Sequence, residues 1–116
     1  MNEKAEPRLR VKFYKTASGK EPVRDWLNDL RKDVKKIIGE DIRATQILWP
    51  KGAPLIKPIE NKIWEIRSTI PNGIVRIFFT VKNEHIVLLH GFIKKSQKTT
   101  KQELEIARKR LKEWID

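Results

Sequence analysis

The chain contains no cysteine. That excludes disulfides, thiolate metal sites and a cysteine nucleophile, and it fits a reducing compartment. Its two histidines, His85 and His90, have no convergent Asp/Glu pair nearby, so the ligand spacing of a metal centre is missing. The five glycines are scattered and build no phosphate-cradling loop. Paired carboxylates of the glycosidase kind are absent, Glu65 being the only acid between Asn61 and Asn83, and no nucleophile-elbow spacing supports a Ser-His-Asp arrangement. No apolar run approaches a membrane span, and NEKAEPRLRVKF after Met1 lacks the apolar core of a signal peptide. The expectation is a soluble, cytoplasmic protein with no membrane partner and no cofactor. Acid itself is scarce: 15 Asp and Glu stand against 26 Lys and Arg, a net charge of +11. Such an excess in a small domain points to a polyanionic partner, nucleic acid (RNA or DNA) or a ribosome before an acidic protein.

What is present suffices for one domain over residues 1–116, the first seven expected to fray. Leu9, Val11 and Phe13 alternate with basic residues, a half-buried strand. Pro22 suits the first position of a helix, and Val23, Trp26, Leu27 and Leu30 make its apolar stripe. Asp33 is a candidate cap for a second helix whose inner face is Val34, Ile37, Ile38, Ile42, Thr45 and Leu48. The stretch WPKGAPLIKP, Trp49 to Pro58, holds three prolines and reads as a connection. Lys62 to Ile70 and Ile74 to Val81 alternate as strands, separated by a Pro71-Asn72-Gly73 turn. A second turn at Lys82-Asn83-Glu84 leads into Ile86–Leu89, an apolar run that reads as a strand covered on both faces. Thr100 with Glu103 has the spacing of a capping box. Leu104, Ala107, Leu111, Trp114 and Ile115 form the stripe of the last helix, and Lys101, Arg108, Lys109, Arg110 and Lys112 its outer face. The fold class is α+β: an N-terminal strand, two helices, a three-stranded antiparallel meander and a C-terminal helix.

The organising stretch is IVLLHGFIKKSQKTT, Ile86 to Thr100, a strand that exits into cations and hydrogen-bonding side chains. Strand alternation sets His90, Phe92 and Lys94 on one face and Gly91, Ile93 and Lys95 on the other. With Arg67 and Arg76 on neighbouring strands, these residues suit RNA strand cleavage without a metal. Guanidinium groups grip phosphate oxygens bidentately and offset the charge of a pentacoordinate transition state. His90 or a lysine crowded by cations, Lys94 or Lys95, can move protons. Lys57, Gln97, Lys98 and Lys101 would hold the strand. Each residue has a plainer reading: the arginines as outward strand residues, His90 as a hydrogen-bonded core histidine, the lysines as general electrostatic contacts.

Four blocks together, PLIKPIENKIWEIR, GIVRIFF, IVLLHGFIKKSQKTT and the helix with Glu103 and Ala107, resemble the RelE/HigB-type toxins of bacterial toxin–antitoxin modules, in the phage-related Gp49-like branch. The resemblance runs from Val11 to Trp114. It implies a RelE-like domain and a metal-independent mRNA endonuclease that works on the ribosome. Attack by the 2′-OH on the adjacent phosphate would leave a cyclic phosphate. It further implies a helix-turn-helix (HigA-like) antitoxin as partner, with operator DNA reached only through that antitoxin. The arginine pair of the resembling sheets corresponds to Arg67 and Arg76, and their basic exit segment to Lys94, Lys95, Gln97 and Lys98. Three positions depart from the pattern: Phe79 stands for a tyrosine, Asn61-Lys62 for a glycine and Thr100 for a proline. A non-catalytic RNA- or ribosome-binding protein, or an inactive toxin relic, uses the same surface.

Overall fold

The computed structural model describes residues 8–94 and 99–114. Its elements follow in the order β1 (Arg10–Phe13), α1 (Pro22–Asn28), α2 (Lys32–Leu48), β2 (Ile56–Glu60), β3 (Ile63–Ile70), β4 (Gly73–Lys82), β5 (His85–Lys94) and α3 (Thr99–Glu113). One five-stranded sheet runs β1-β5-β4-β3-β2. The expected meander is β3 to β5, and the α+β class holds. Two strands extend it. The N-terminal strand joins the sheet, parallel to β5, with Val11 opposite Ile86 and Phe13 opposite Leu88. The last three residues of the stretch expected to be a connection begin β2, antiparallel to β3, with Ile56 opposite Ile66 and Pro58 opposite Trp64. An edge strand tolerates Pro58 because the amide hydrogen it lacks has no second neighbour to serve.

Alternation in the central strands divides the core into two layers. Ile66, Val75, Ile77, Phe79, Ile86 and Leu88 face the layer that contains Val23, Val34 and Ile38 of α1 and α2. Phe78, Val87, Leu89 and Phe92 face the layer that contains Ala107 and Leu104 of α3. A sheet covered on both sides explains why Ile86–Leu89 is a continuous apolar run. A bulge in β5 changes the phase of its side chains between the two layers. Phe78 pairs with His90 but Phe79 pairs with Leu88, so Leu89 is an extra residue in β5. Gly91 marks a close approach of α1 to the sheet: a Cβ there would lie 2.6 Å from the Trp26 ring.

Helix boundaries depart from expectation in instructive ways. Pro22 does begin α1, which ends at Asn28, before Leu30. Arg31, not Asp33, is the N-cap residue of α2, and Asp33 lies in its first turn. Leu48, expected on the inner face, is the exposed last residue of α2. Thr100 and Glu103 form no capping box, because α3 already begins at Thr99 and both side chains turn toward the sheet. Ile115 of the expected stripe lies outside the described residues.

Candidate functional site

The α3 side of the sheet gathers most of the candidate residues. Glu65, Arg67 and Thr69 alternate onto that side from β3. The register then sets Arg67 opposite Arg76 and Glu65 opposite Phe78. From β5, His90 stands opposite Phe78, Phe92 opposite Arg76 and Lys94 opposite Ile74. From β2, Lys57 stands opposite Glu65. A band of cations thus crosses four strands near the start of α3.

Two like charges directly opposite each other on a sheet repel. Glu65 reverses that. Its Oε1 lies 3.5 Å from Arg67 Nε and its Oε2 lies 2.5 Å from Arg76 Nε. Both are charge contacts and not aligned hydrogen bonds. Glu65 is 0 % exposed, so no substrate can touch it. The two arginines differ in reach: the Arg67 side chain keeps 36 % of its surface, the Arg76 side chain only 8 %. Arg76 also donates from Nη1 to Thr100 Oγ1 at 3.3 Å. Arg67 is therefore the outward fork of the pair and Arg76 the inner one, reached past Thr100.

His90 is engaged at both ring nitrogens. Nε2 lies 2.5 Å from Glu103 Oε1, and Arg110 Nη1 lies 3.3 Å from Nδ1. Because a guanidinium only donates, Nδ1 accepts and Nε2 carries the proton to Glu103. Burial pushes the His90 pKa below its ordinary 6.5; the Glu103 carboxylate opposes that shift and the Arg110 charge adds to it. The ring stacks on Phe92 at 5.9 Å. Arg110, expected on the outer face of α3, turns inward: it donates to the Leu89 carbonyl at 2.9 Å and lies 5.3 Å over the Tyr14 ring. Arg108 bridges to Glu60 at 2.7 Å and ties α3 to β2.

The remaining candidates divide. Lys94 is half-buried at the end of β5, while Lys57 and Lys101 are exposed. Lys95, Gln97 and Lys98 lie outside the described residues. Phe79 belongs to the opposite layer, fully buried beside Trp49 and Trp64 at 5.8 and 6.2 Å. A tyrosine hydroxyl there would enter the core and not the cationic face. Lys62 has φ 67°, the left-handed region, which explains why glycine suits that turn. Sequence reasoning passed over Glu65, Glu103, Arg110 and Thr100 as parts of the site. Only Glu65 carried a signal, as a lone acid in phase with Arg67.

Beside Arg67 the sheet edge opens. The last β2–β3 pair is Ile56 with Ile66, after which only the Arg67 amide reaches the Leu55 carbonyl at 2.9 Å. Beyond it lies a cleft of about 570 Å³ lined by Ile37, Asp41, Pro54, Leu55, Arg67, Thr69 and Ile74. A larger hollow of about 990 Å³ lies at the start of α2 among Arg31, Lys32, Asp33, Lys35 and Lys36. It is a shallow surface between solvated charges and belongs to the other layer. Among the described residues no three His, Asp or Glu side chains are placed to hold a metal ion.

Comparison with known proteins follows the same segment. Residues 25–112 match the family described as phage-derived protein Gp49-like. Two curated relatives, each named a probable endoribonuclease HigB1, come from Mycobacterium tuberculosis strains CDC 1551 / Oshkosh and ATCC 25618 / H37Rv. Each is 40% identical over 63 residues, which is 54% of this chain and 50% of the relative. The chain thus spans about half the length of the curated relatives it matches.

Proposed function

Because this chain belongs to the phage-derived Gp49-like family, we propose that it is the toxin of a toxin–antitoxin module and cuts mRNA on the ribosome. The observation that carries this is the Arg67–Glu65–Arg76 arrangement: two guanidiniums held on one face by a carboxylate that no ligand can reach. Fixed cations of this kind act where charge develops, on the phosphoryl oxygens of a pentacoordinate phosphorus. In the proposed reaction the ribose 2′-oxygen bonds to phosphorus and the bond from phosphorus to the 5′-oxygen breaks. A 2′,3′-cyclic phosphate and a 5′-hydroxyl result. The 2′-OH proton passes to a base, and a proton is returned to the departing 5′-oxygen.

Arg67 meets the phosphate first, and Arg76 joins it when Thr100 gives up Nη1. Lys94, Lys95 and His90 are the groups for proton transfer. His90 enters that role only after releasing Glu103 or Arg110. Lys57, Gln97, Lys98 and Lys101 hold the flanking strand. The positive charge comes from the protein, so the reaction asks for no metal. A helix-turn-helix antitoxin is the proposed protein partner, and operator DNA is reached through it.

A second reading, an RNA- or ribosome-binding protein that does not cut, is favoured by one observation: both nitrogens of His90 are occupied within the chain. Arg67→Lys separates the two. It keeps the charge and loses the fork, at a position exposed enough to spare the fold. Primer extension on mRNA after induced expression, together with RNA binding by the purified protein, should show cleavage down at least tenfold and bulk affinity within about twofold. Arg76→Lys should behave likewise. Equal loss of both properties, or of neither, moves the assignment to the binding protein.

A further inference from the structure

The cleft beside Arg67 contains a charge of the wrong sign for a surface that holds phosphates. Asp41 is half-buried there, one helical turn after Ile37 on α2. Among the described residues no side chain bonds or pairs with its carboxylate, and only its main-chain oxygen is used, by Thr45 Oγ1 at 2.9 Å. Arg67 lines the same cleft, but its guanidinium Nε lies against Glu65 and makes no pair with Asp41. An unpaired acid repels an RNA backbone. It becomes an asset only where the ligand presents N–H groups in place of oxygens.

The other walls fit a base. Ile37, Pro54, Leu55 and Ile74 offer apolar surface for its faces, and Thr69 offers a hydroxyl. Arg67 lines the same cleft, so a phosphate on its guanidinium and a base against Asp41 belong to neighbouring parts of one nucleotide strand. Among the four bases, guanine alone presents two adjacent N–H donors, N1–H and N2–H, to a single carboxylate. Adenine turns its N1 lone pair toward the acid, cytosine its N3 lone pair, and uracil flanks its one N–H with carbonyl oxygens. Matching of donors to acceptors at a base edge is how side chains discriminate bases.

We propose that the cleft between α2 and the open edge of β3 is a base-recognition subsite that takes a guanine next to the phosphate held by Arg67. Asp41 accepts from N1–H and N2–H, and Thr69 donates to O6. The assignment rests on the RNA-cleaving reading of the Arg67–Arg76 face and adds the base preference of that face.

The test titrates the full chain with GMP, AMP, CMP and UMP, in wild type, Asp41→Asn and Thr69→Val. GMP should bind about tenfold or more tightly than AMP. Asp41→Asn should bring that ratio toward one, by weakening GMP and relieving the repulsion of AMP. Thr69→Val should reduce the ratio less. Equal binding of GMP and AMP to wild type, or a GMP preference that survives Asp41→Asn, overturns the subsite. Mapping of cut ends in mRNA separates this from the larger reading. Cuts with no guanine bias at any fixed position overturn the subsite and leave the nuclease standing. A GMP preference lost in Asp41→Asn, with no cuts in mRNA, upholds the subsite and overturns the nuclease.

Discussion

Arg67 and Arg76 stand opposite each other on adjacent strands, a placement that costs free energy unless a counter-charge lies between them. Glu65 is that counter-charge. Its own burial is tolerable only because both guanidiniums approach its oxygens. Removing the charge by Glu65→Gln should therefore destabilise the fold by about 3 kcal/mol, measured by urea unfolding. A loss under about 1 kcal/mol would mean that the triad is not a working unit. The arginines themselves were legible in the sequence, since alternation put Arg67 and Arg76 on strands of one hairpin. The role of Glu65 was not. Whether two residues on neighbouring strands meet depends on register, and the turn at Asn72-Gly73 constrained it without naming the pairs. Asp41 was equally hidden, because a helix residue and a sheet edge far apart in sequence share a cleft only once both layers are assembled.

At the scale of elements, α3 is held to the sheet by polar side chains as well as by the apolar packing of Leu104, Ala107 and Leu111. His90–Glu103, Arg110 to the Leu89 carbonyl, Tyr14–Glu113 and Arg108–Glu60 link it to β5, to the residue that follows β1 and to β2. This is why the capping box failed as a reading: Thr100 and Glu103 had the right spacing for a local bond but met Arg76 and His90 first. It is also why Arg110 could not be placed from helical periodicity, which knows nothing of Tyr14. The end of the stretch read as a connection could enter β2 because proline is excluded from interior strands and not from edges. His90 makes this docking sensitive to acid. Its folded pKa lies below 6.5, whereas the unfolded chain takes up a proton near the ordinary value, so between the two the unfolded state binds more protons. The His90 contribution is fully present above pH 6.5 and lost as pH falls through the folded pKa. Thermal unfolding at pH 7.5 and 5.5 should show a larger drop for wild type than for His90→Gln; equal drops would remove His90 from this account.

Taken whole, the molecule is a polycation with several of its few acids committed to internal pairs. Glu65 and Glu60 hold arginines of the α3 layer in place, and Glu103 holds the His90 ring. Much of the remaining positive charge is left at the surface for a polyanion, as the sequence total already suggested. If about four phosphates of a single strand are contacted, affinity for RNA should fall roughly fifty-fold between 50 and 200 mM salt. A slope near zero in a salt series would show that the charge serves another purpose. The α+β class, the central meander and the cationic face were all legible from periodicity and composition. The parallel pairing of β1 with β5 was not, because a four-residue strand carries no signal of direction.

The extra residue in β5 has a consequence for how this surface can change over time. Before Leu89 the strand keeps one phase; after it, His90, Phe92 and Lys94 keep the other, and only in that phase do they join Arg76. Loss of one residue between Val87 and His90 would close the bulge and leave plain alternation, with His90 still opposite Phe78 and on the face of Arg76. Loss of a residue after His90 finds no such slack and would turn Phe92 and Lys94 toward the side of Trp26. The bulge is a spare link: a deletion can be absorbed before His90 and not beyond it.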